Sequence, residues 1–219
     1  TRALTIDDNC LSAHWLLGEY YSNKDDKKSA LAHYRRSLEI APDRQGPAFM
    51  IAALEEEASP DRAPDDYVVG FFDWYAEHFD NHLTENLKYT GPQVVAGALR
   101  ETRPNGVDQL IDLGCGTGLA GVALDGLASR LTGVDLSSAM LERAKATGAY
   151  QDLLHLDLVA ALNTLPDGSA EAAIAADVLV YVGVLEPVFA EVRRVLADNG
   201  MFIATFEESQ NIDGWELSS

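Results

Sequence analysis

The sequence predicts an α/β fold in which a doubly wound, mainly parallel sheet follows an N-terminal α-helical hairpin. Beyond residue 106, short apolar runs that read as strands alternate with segments of helical periodicity. This alternation is typical of a parallel sheet with helices on both faces. Over the first sixty residues the apolar positions recur at helical spacing throughout, which predicts helices without strands.

The strand and helix positions follow from the same periodicity. Strands are predicted at 108–113, 130–135, 152–156, 172–177 and 200–206. Helices are predicted between them at about 118–128, 137–147 and 186–197. A further helix, from Pro92 to Arg100, comes before the first strand and is separated from it by the turn Pro104-Asn105-Gly106.

The N-terminal segment 1–54 contains a repeat signal. Residues 4–9 match residues 38–43 at an offset of 34 residues, which is the period of tetratricopeptide repeats. Gly18 and Ala30 supply the small residues that two closely packed helices need. A tetratricopeptide-like hairpin is therefore predicted, with a generic helical hairpin as the alternative. Because a lone repeat cannot bury its own faces, we expect the chain to begin inside a longer array.

An acidic segment with two prolines, residues 55–70, is predicted to link the hairpin to a second domain at 71–219. That domain opens with the aromatic stretch 71–79, which is either a helix packed on the sheet or a lid over a ligand.

Composition limits the function classes. The formal net charge of −19 would repel a phosphate backbone, so a nucleic-acid partner is disfavoured. No apolar run is long enough to cross a bilayer, and no signal peptide is recognised, so no membrane association is expected. The two cysteines, Cys10 and Cys115, do not indicate a disulfide framework, which fits a cytoplasmic protein.

A glycine-rich loop between the first predicted strand and the next helix points to a cofactor. The glycines allow a tight turn and a close approach of a ligand to the backbone, as in Rossmann-like folds. The pattern Gly116-x-Gly118-x-x-Gly121 also fits a dinucleotide-binding loop. Asp112 separates the two interpretations, because a carboxylate before the glycines would repel a pyrophosphate but suits the ammonium group of a methionine moiety.

The motifs of residues 70–206 resemble those of class I S-adenosylmethionine-dependent methyltransferases. The resemblance rests on Asp112-Leu113-Gly114-Cys115-Gly116-Thr117-Gly118, Gly133-Val134-Asp135-Leu136-Ser137-Ser138-Ala139-Met140, Leu156-Asp157-Leu158, Ala176-Asp177-Val178 and Arg194-Val195-Leu196-Ala197-Asp198-Asn199-Gly200. The aromatic segment, taken with the upstream repeat, is similar to a bacterial subgroup of methyltransferases that carry tetratricopeptide repeats.

This resemblance implies S-adenosyl-L-methionine as the cofactor and a set of donor-binding residues. Asp135 is expected to bind the ribose hydroxyls, Leu136 and Met140 to flank the adenine, Asp157 to contact the adenine amino group, and Tyr75 to touch the methionine end. The remaining implied donor contacts are Gly114, Cys115, Gly116, Gly118, Leu158 and Asp177. Ordinary core packing is the alternative for Leu136 and Met140, a helix N-cap for Asp157, and a structural role for Asp177.

No catalytic residue can be chosen from the sequence. A general base is needed only if the acceptor loses a proton near neutral pH, and the candidates are Asp177, Tyr181, His78 and His82. His78 and His82 lack further ligands at metal-binding spacing, so no metal is expected. Cys115 has no recognisable His-Asp pair and is interpreted as a small packing residue.

The leading prediction is a methyltransferase that acts on a small-molecule or protein acceptor. A nicotinamide-dependent oxidoreductase is the enzyme alternative, and a donor-binding adaptor that uses its repeat to bind a partner is the non-enzyme alternative. A pair of antiparallel strands that normally completes such a domain is not found before residue 219, so this part is expected to be missing.

Overall fold

The computed structural model describes residues 2–55, 63–75 and 89–206. The chain divides into two compact units, Thr1–Val68 and Val69–Ser219, and the division falls within one helix.

The first unit is helical in its described residues. Its helices are α1 (Arg2–Ile6), α2 (Leu11–Ser22), α3 (Lys27–Ile40), α4 (Gln45–Glu55) and the start of α5 (Asp65–Tyr75). The Asp26 side chain begins α3 by accepting a hydrogen bond from the Ser29 backbone N–H. Capping of this kind satisfies a donor that has no partner within the helix.

The α2–α3 hairpin packs around the fully buried Tyr34. The Tyr34 hydroxyl donates a 2.6 Å hydrogen bond to Glu19, so burial of this polar group is compensated. Its ring lies against Gly18, where an added Cβ would come within 2.5 Å of a ring carbon. A second polar contact joins His14 Nδ1 to His33 Nδ1 at 3.0 Å. The predicted helical hairpin is therefore present, with Gly18 at the closest approach.

The second unit contains a five-stranded parallel sheet in the order β3-β2-β1-β4-β5. Its strands are β1 (Val107–Leu113), β2 (Ala128–Asp135), β3 (Asp152–His155), β4 (Ala170–Ala175) and β5 (Leu196–Ala204). The described residues of this unit also form helices α6 (Gly91–Thr102), α7 (Leu119–Ala123), α8 (Ser138–Thr147), α9 (Leu158–Asn163) and α10 (Glu186–Val195), and a 3₁₀ turn at Leu179–Tyr181.

Both faces of this sheet are buried, which explains why its strands read as continuous apolar runs. Along β4, Ala172 and Ile174 belong to a core that includes residues of α6 and α7. Ala173 and Ala175 belong to a second core, on the other face, that includes residues of α9 and α10. These small side chains in the centre of the sheet let helices pack on both sides.

The predicted α/β class and parallel sheet are confirmed, while several boundaries differ. The fourth strand ends at Ala175, two residues before the predicted 177, and β5 begins at 196, before the predicted 200. The helix predicted at 118–128 ends at Ala123, and the apolar pattern continues beyond it because Leu124 and Leu127 are buried in the turn that follows. Helix α9 was absent from the prediction. The last six residues of the predicted linker, 65–70, are helical.

No helix in the described residues combines the length and the apolar character that crossing a membrane requires.

We predict that Gly18→Ala destabilises the helical hairpin. The added methyl group would overlap the Tyr34 ring, which is buried and held by Glu19 and so has little room to move. We expect the free energy of unfolding, measured by urea denaturation, to fall by about 1–3 kcal/mol. Gly97→Ala is the control, because no atom lies within 4 Å of its added Cβ and alanine favours helix by ~1 kcal/mol. A Gly18→Ala variant as stable as the wild type would contradict this packing.

Candidate functional site

The candidate site lies at the carboxyl ends of β1 and β4. Strand β1 pairs with β2 on one side and with β4 on the other. The chain adds β2 and β3 on one side of β1 and then crosses back to add β4 and β5 on the other side, so the strand order switches between β1 and β4. Ligands of open parallel sheets bind at such switch points, outside the carboxyl ends of the strands. The glycine loop at residues 114–118 begins at this place, directly after β1.

The loop has a backbone that most residues cannot adopt. Gly114, Gly116 and Gly118 have φ values of +70°, +54° and +94°. An added Cβ at Gly114 would lie 2.2 Å from a methyl carbon of Val178, which follows β4. Two hydrogen bonds from the loop to the Val134 carbonyl oxygen, donated by Gly114 N–H and Cys115 N–H, tie it to β2. The glycines therefore serve both the turn and the close contact with the neighbouring strand.

Asp112 is fully buried at the end of β1, immediately before this loop. Its Oδ2 accepts a 2.7 Å hydrogen bond from the Tyr150 hydroxyl, while its buried Oδ1 has no partner among the described residues. The pKa of Asp112 is raised to about 7, chiefly by burial and to a smaller extent by the nearby Asp135, against the lowering effect of the Tyr150 hydrogen bond. An uncompensated buried carboxylate favours binding of a cation or a hydrogen-bond donor.

Tyr150 was missed by sequence reasoning. A Cβ added at Gly121 would come within 2.5 Å of the Tyr150 ring, and one added at Gly133 would come within 2.8 Å of it. Both glycines therefore make room for the ring. Its hydroxyl also accepts a 3.1 Å hydrogen bond from Gly121 N–H. Gly121, which completes a dinucleotide-like pattern in the sequence, thus has a packing role in this chain. No motif marks Tyr150, because its contacts come from distant parts of the sequence.

Asp135 lies at the end of β2, half-buried beside the glycine loop. Its two carboxylate oxygens accept hydrogen bonds from Gly116 N–H at 2.8 Å and Ser137 N–H at 2.9 Å. Burial raises its pKa, while these backbone hydrogen bonds lower it. A carboxylate offers about four lone-pair sites, so two accepted bonds leave capacity for the hydroxyls of a ligand.

The other predicted donor contacts have a visible structural role. Asp157 is the N-cap of α9, and its Oδ1 accepts hydrogen bonds from the N–H groups of Val159 and Ala160. Met140 is 1% exposed in the core, Leu136 is partly buried, and Leu158 packs against the core formed with α9 and α10. The capping alternative for Asp157 is therefore present in the structure.

Cys115 is buried between the loop glycines, with its Sγ 2.9 Å from the position of a Cβ added at Gly133. Burial and the carboxylates of Asp112 and Asp135 raise the pKa of its thiol far above the ordinary value. A thiol that stays protonated is a poor nucleophile, which agrees with the interpretation of Cys115 as a packing residue.

Asp177 follows β4 and has a φ of +54°, which is uncommon for a residue other than glycine. Thr205, just after β5, holds it by two hydrogen bonds. Thr205 Oγ1 donates to Asp177 Oδ1 at 2.5 Å and accepts from the Asp177 N–H at 2.8 Å. Burial, followed by Asp177 and Asp112, raises the pKa of the Tyr89 hydroxyl. Neither Thr205 nor Tyr89 was a sequence candidate.

Helix α5 contacts the loops at this edge through two side chains. Ser137 Oγ donates a 2.5 Å hydrogen bond to Asp73, and the Ser137 oxygen also caps α8 by accepting from Met140 N–H. The ring of Phe72 meets that of Tyr181 edge-on, with 5.2 Å between centroids. Tyr181 is thus placed in the loop after β4, close to Asp177 in the chain.

Three predicted residues are not tested by these contacts. His78 and His82 lie outside the described residues, and so does the side chain of Tyr75, whose backbone ends α5. In the part of the chain that the structure describes, no group of three or more His, Cys, Asp or Glu side chains is arranged to hold a metal ion.

Comparison with known proteins identifies the type of domain. Residues 111–204 match the family described as "Methyltransferase domain". The chain is 30% identical over 132 residues to the biotin biosynthesis bifunctional protein BioHC of Saccharophagus degradans, covering 58% of this chain and 24% of that protein. It is 32% identical over 107 residues to the human methyltransferase-like protein 27, covering 48% of this chain and 43% of that protein. The match thus spans less than half the length of either relative.

A solved structure described as a DhpI–SAH complex shares the fold. It is similar with a TM-score of 0.51 and 23% identity, over 67% of this chain and 74% of that one. The sheet unit therefore has the fold of class I S-adenosylmethionine-dependent methyltransferases.

We predict that Asp112→Asn changes how stability depends on pH. The folded-state pKa of about 7 lies above the ordinary 3.8, so the folded protein keeps a proton that the unfolded chain releases. The stability from this proton is present at low pH and is lost as pH rises through 7. Asparagine removes the titration. Relative to wild type, the free energy of unfolding of the variant should therefore rise between pH 5 and pH 8, by on the order of 2 kcal/mol.

Urea denaturation at both pH values measures this difference, with the exposed Asp125→Asn as the control. If the free energies of unfolding of Asp112→Asn and wild type differ by the same amount at pH 5 and at pH 8, Asp112 does not titrate in this range.

Proposed function

We propose that this chain, whose residues 111–204 form a methyltransferase domain, is an S-adenosyl-L-methionine-dependent methyltransferase that acts on a small-molecule or protein acceptor. The observation that carries the proposal is the buried, unpartnered Oδ1 of Asp112 beside the glycine loop. It supports a ligand that brings a positive, hydrogen-bond-donating group to the end of β1.

The donor fits this chemistry at its methionine end. Its α-ammonium group supplies the cation that Asp112 lacks, and binding favours the ionised carboxylate. Because the pKa of Asp112 is raised to about 7, the carboxylate is partly protonated at neutral pH, and binding would release a proton. The loop residues Gly114, Gly116 and Gly118 allow the donor to approach the backbone.

The nucleoside end would extend from β1 towards β2 and β3. Asp135 would accept hydrogen bonds from the ribose hydroxyls, in addition to those from the loop. Leu136 and Met140 would lie near the adenine, and Asp157 would use its second oxygen for the adenine amino group while its first caps α9. Leu158 and Cys115 would contribute packing around the donor.

The bound donor supplies a methyl group on a sulfonium sulfur, which is an inherently reactive electrophile. The task of the chain is to orient the acceptor in line with that bond and to exclude water. Asp177 and Tyr181 lie in the loop after β4, on the side of the switch point away from the ribose aspartate, and are suited to face the acceptor. These two residues, with His78 and His82, remain the candidates for a general base.

The spacing of the helices in the N-terminal unit supports the proposal that this unit is a tetratricopeptide-like repeat. Helix α4 begins at Gln45, 34 residues after α2 begins at Leu11, and α3 ends at Ile40, 34 residues after α1 ends at Ile6. The period of the helices thus equals that of the sequence match. Such units bind protein segments, so we propose a protein partner for this one, in a cytoplasmic enzyme. Binding of the donor without turnover would instead favour an adaptor.

Calorimetry with S-adenosylmethionine, S-adenosylhomocysteine and NAD tests the proposed cofactor. We expect both methyl-donor ligands to bind and NAD to bind far more weakly, because Asp112 opposes a pyrophosphate at this loop. Preferential binding of NAD would exclude the methyltransferase and favour the oxidoreductase alternative. Incubation with labelled donor and a panel of small-molecule and protein acceptors would then separate an enzyme from an adaptor.

We predict that Asp135→Ala weakens binding of S-adenosylhomocysteine about tenfold or more. A charged hydrogen-bond acceptor contributes roughly 1.5–3 kcal/mol, and alanine cannot replace it. Isothermal titration calorimetry measures the change, with the exposed Asp125→Ala as the matched control and circular dichroism as the test of folding. Unchanged affinity in a folded Asp135→Ala variant would remove Asp135 from the donor site.

A further inference from the structure

Asp73 is an acid in α5 that the stability of this helix does not explain. It lies inside the helix, where aspartate is a weaker helix former than alanine, leucine or glutamate. Its neighbour Phe72 meets the ring of Tyr181 edge-on, with 5.2 Å between the centroids. Because this contact fixes α5 next to Asp73, the carboxylate has a defined place even though it is exposed.

Asp73 contacts Ser137, which is the N-cap of α8 and follows β2 closely. The Ser137 hydroxyl donates a 2.5 Å hydrogen bond to Asp73 Oδ1. Ser137 is 1% exposed, so this hydroxyl depends on a protein acceptor rather than on water. Within the part of the chain that the structure describes, Asp73 is the acceptor recorded for it.

The other polar groups of Ser137 are also committed to hydrogen bonds. Its Oγ accepts from Met140 N–H at 3.1 Å, and its carbonyl oxygen accepts from Leu141 N–H at 3.1 Å. Its N–H donates to Asp135 Oδ1 at 2.9 Å. One buried residue thus joins α5, the start of α8 and the carboxylate at the end of β2, so a change in one of these bonds affects the others.

The carboxylate of Asp135 is held at both of its oxygens. Gly116 N–H binds Oδ2 at 2.8 Å, and Ser137 N–H binds Oδ1. His155 Nε2 fixes the peptide between the two residues by donating a 2.8 Å hydrogen bond to the Leu136 carbonyl oxygen. A shift of Ser137 would release Oδ1 while Gly116 still holds Oδ2, so the carboxylate would turn without leaving its place.

We propose that Asp73 is a positioning residue for the donor's ribose. By accepting the hydroxyl hydrogen of Ser137, it keeps the Ser137 N–H, and through it the Asp135 carboxylate, in the orientation that receives the ribose hydroxyls. This inference rests on the proposed function and deepens it, because it adds a residue of α5 to those that determine donor affinity. Asp73 acts through Ser137 and Asp135 and does not itself touch the donor.

Two ligands separate this role from general support of the fold. S-Adenosylhomocysteine carries both ribose hydroxyls, whereas its 2′,3′-dideoxy analogue lacks them and is otherwise identical. A change in the orientation of the Asp135 carboxylate weakens binding of the first ligand alone. A general loss of packing weakens binding of both ligands to the same extent.

Calorimetry is carried out on the whole chain with wild type, Asp73→Ala and the exposed Asp125→Ala as the matched control. Wild type should bind S-adenosylhomocysteine at least about tenfold more tightly than the dideoxy analogue. For Asp73→Ala we expect affinity for S-adenosylhomocysteine to fall about fivefold, with less than about a twofold change for the analogue. Asp125→Ala should leave both affinities at the wild-type value.

Further variants test how Asp73 acts. Asp73→Asn keeps an oxygen acceptor for the Ser137 hydroxyl, so its affinity for S-adenosylhomocysteine should stay within about twofold of wild type. In an Asp135→Ala background, Asp73→Ala should have no further effect, because residues that act on one contact are not additive. Ser137→Ala removes the same hydrogen bond from its other side and should give the same selective loss if Asp73→Ala does not fold.

The inference is overturned if Asp73→Ala weakens both ligands equally or neither, or if Asp73→Asn loses as much affinity as Asp73→Ala. Equal wild-type affinity for the two ligands also overturns it, since Asp135 would then not hold the ribose. Failure of the proposed function has a different signature, because wild type would bind neither ligand. Wild-type binding of S-adenosylhomocysteine with no selective effect of Asp73→Ala would retain the methyltransferase and remove Asp73 from the residues that position its donor.

Discussion

The candidate site depends on the hydrogen bond that Tyr150 donates to the buried carboxylate of Asp112. The Tyr150 ring fits between α7 and β2 because Gly121 and Gly133 have no side chains there. A larger residue at either position would displace the ring and remove the recorded partner of a fully buried acid. Since a buried carboxylate without a partner is strongly destabilising, this one bond links the packing of the glycine loop to the chemistry at the end of β1.

The sequence predicts where the acids of this candidate site lie in the fold, because each is at, or just after, the end of a strand whose apolar run is a local signal. Their partners could not be predicted, since Tyr150 is 38 residues from Asp112 and Thr205 is 28 residues from Asp177. Only tertiary packing brings these side chains together. The end of α7 was misjudged for a related reason. Leu124 continues the apolar periodicity beyond the helix, and burial in a turn leaves the same pattern as burial in a helix.

Burial of Asp112 opposes stability at neutral pH and favours binding. Its raised pKa means that the free protein must either keep a proton there or hold a desolvated charge. A cationic ligand relieves this conflict, because it stabilises the ionised form in a place that water does not reach. An asparagine would fit the same space without that conflict, so the choice of an acid is better explained by the ligand than by the fold.

The positions of four aspartates across the sheet support one ligand class over another. Asp135 and Asp112 lie at the carboxyl ends of β2 and β1, and Asp157 and Asp177 come shortly after β3 and β4. In the sheet order β3, β2, β1, β4 the four acids therefore form a row. Neighbouring strands lie about 4.8 Å apart, so this row extends over roughly 14 Å. Carboxylates accept hydrogen bonds, and the adenine amino group, ribose hydroxyls and α-ammonium group of a bound donor would meet Asp157, Asp135 and Asp112 in that order, which leaves Asp177 for the acceptor. A dinucleotide would place its anionic pyrophosphate in the middle of this row, where the protein offers negative charge on both sides.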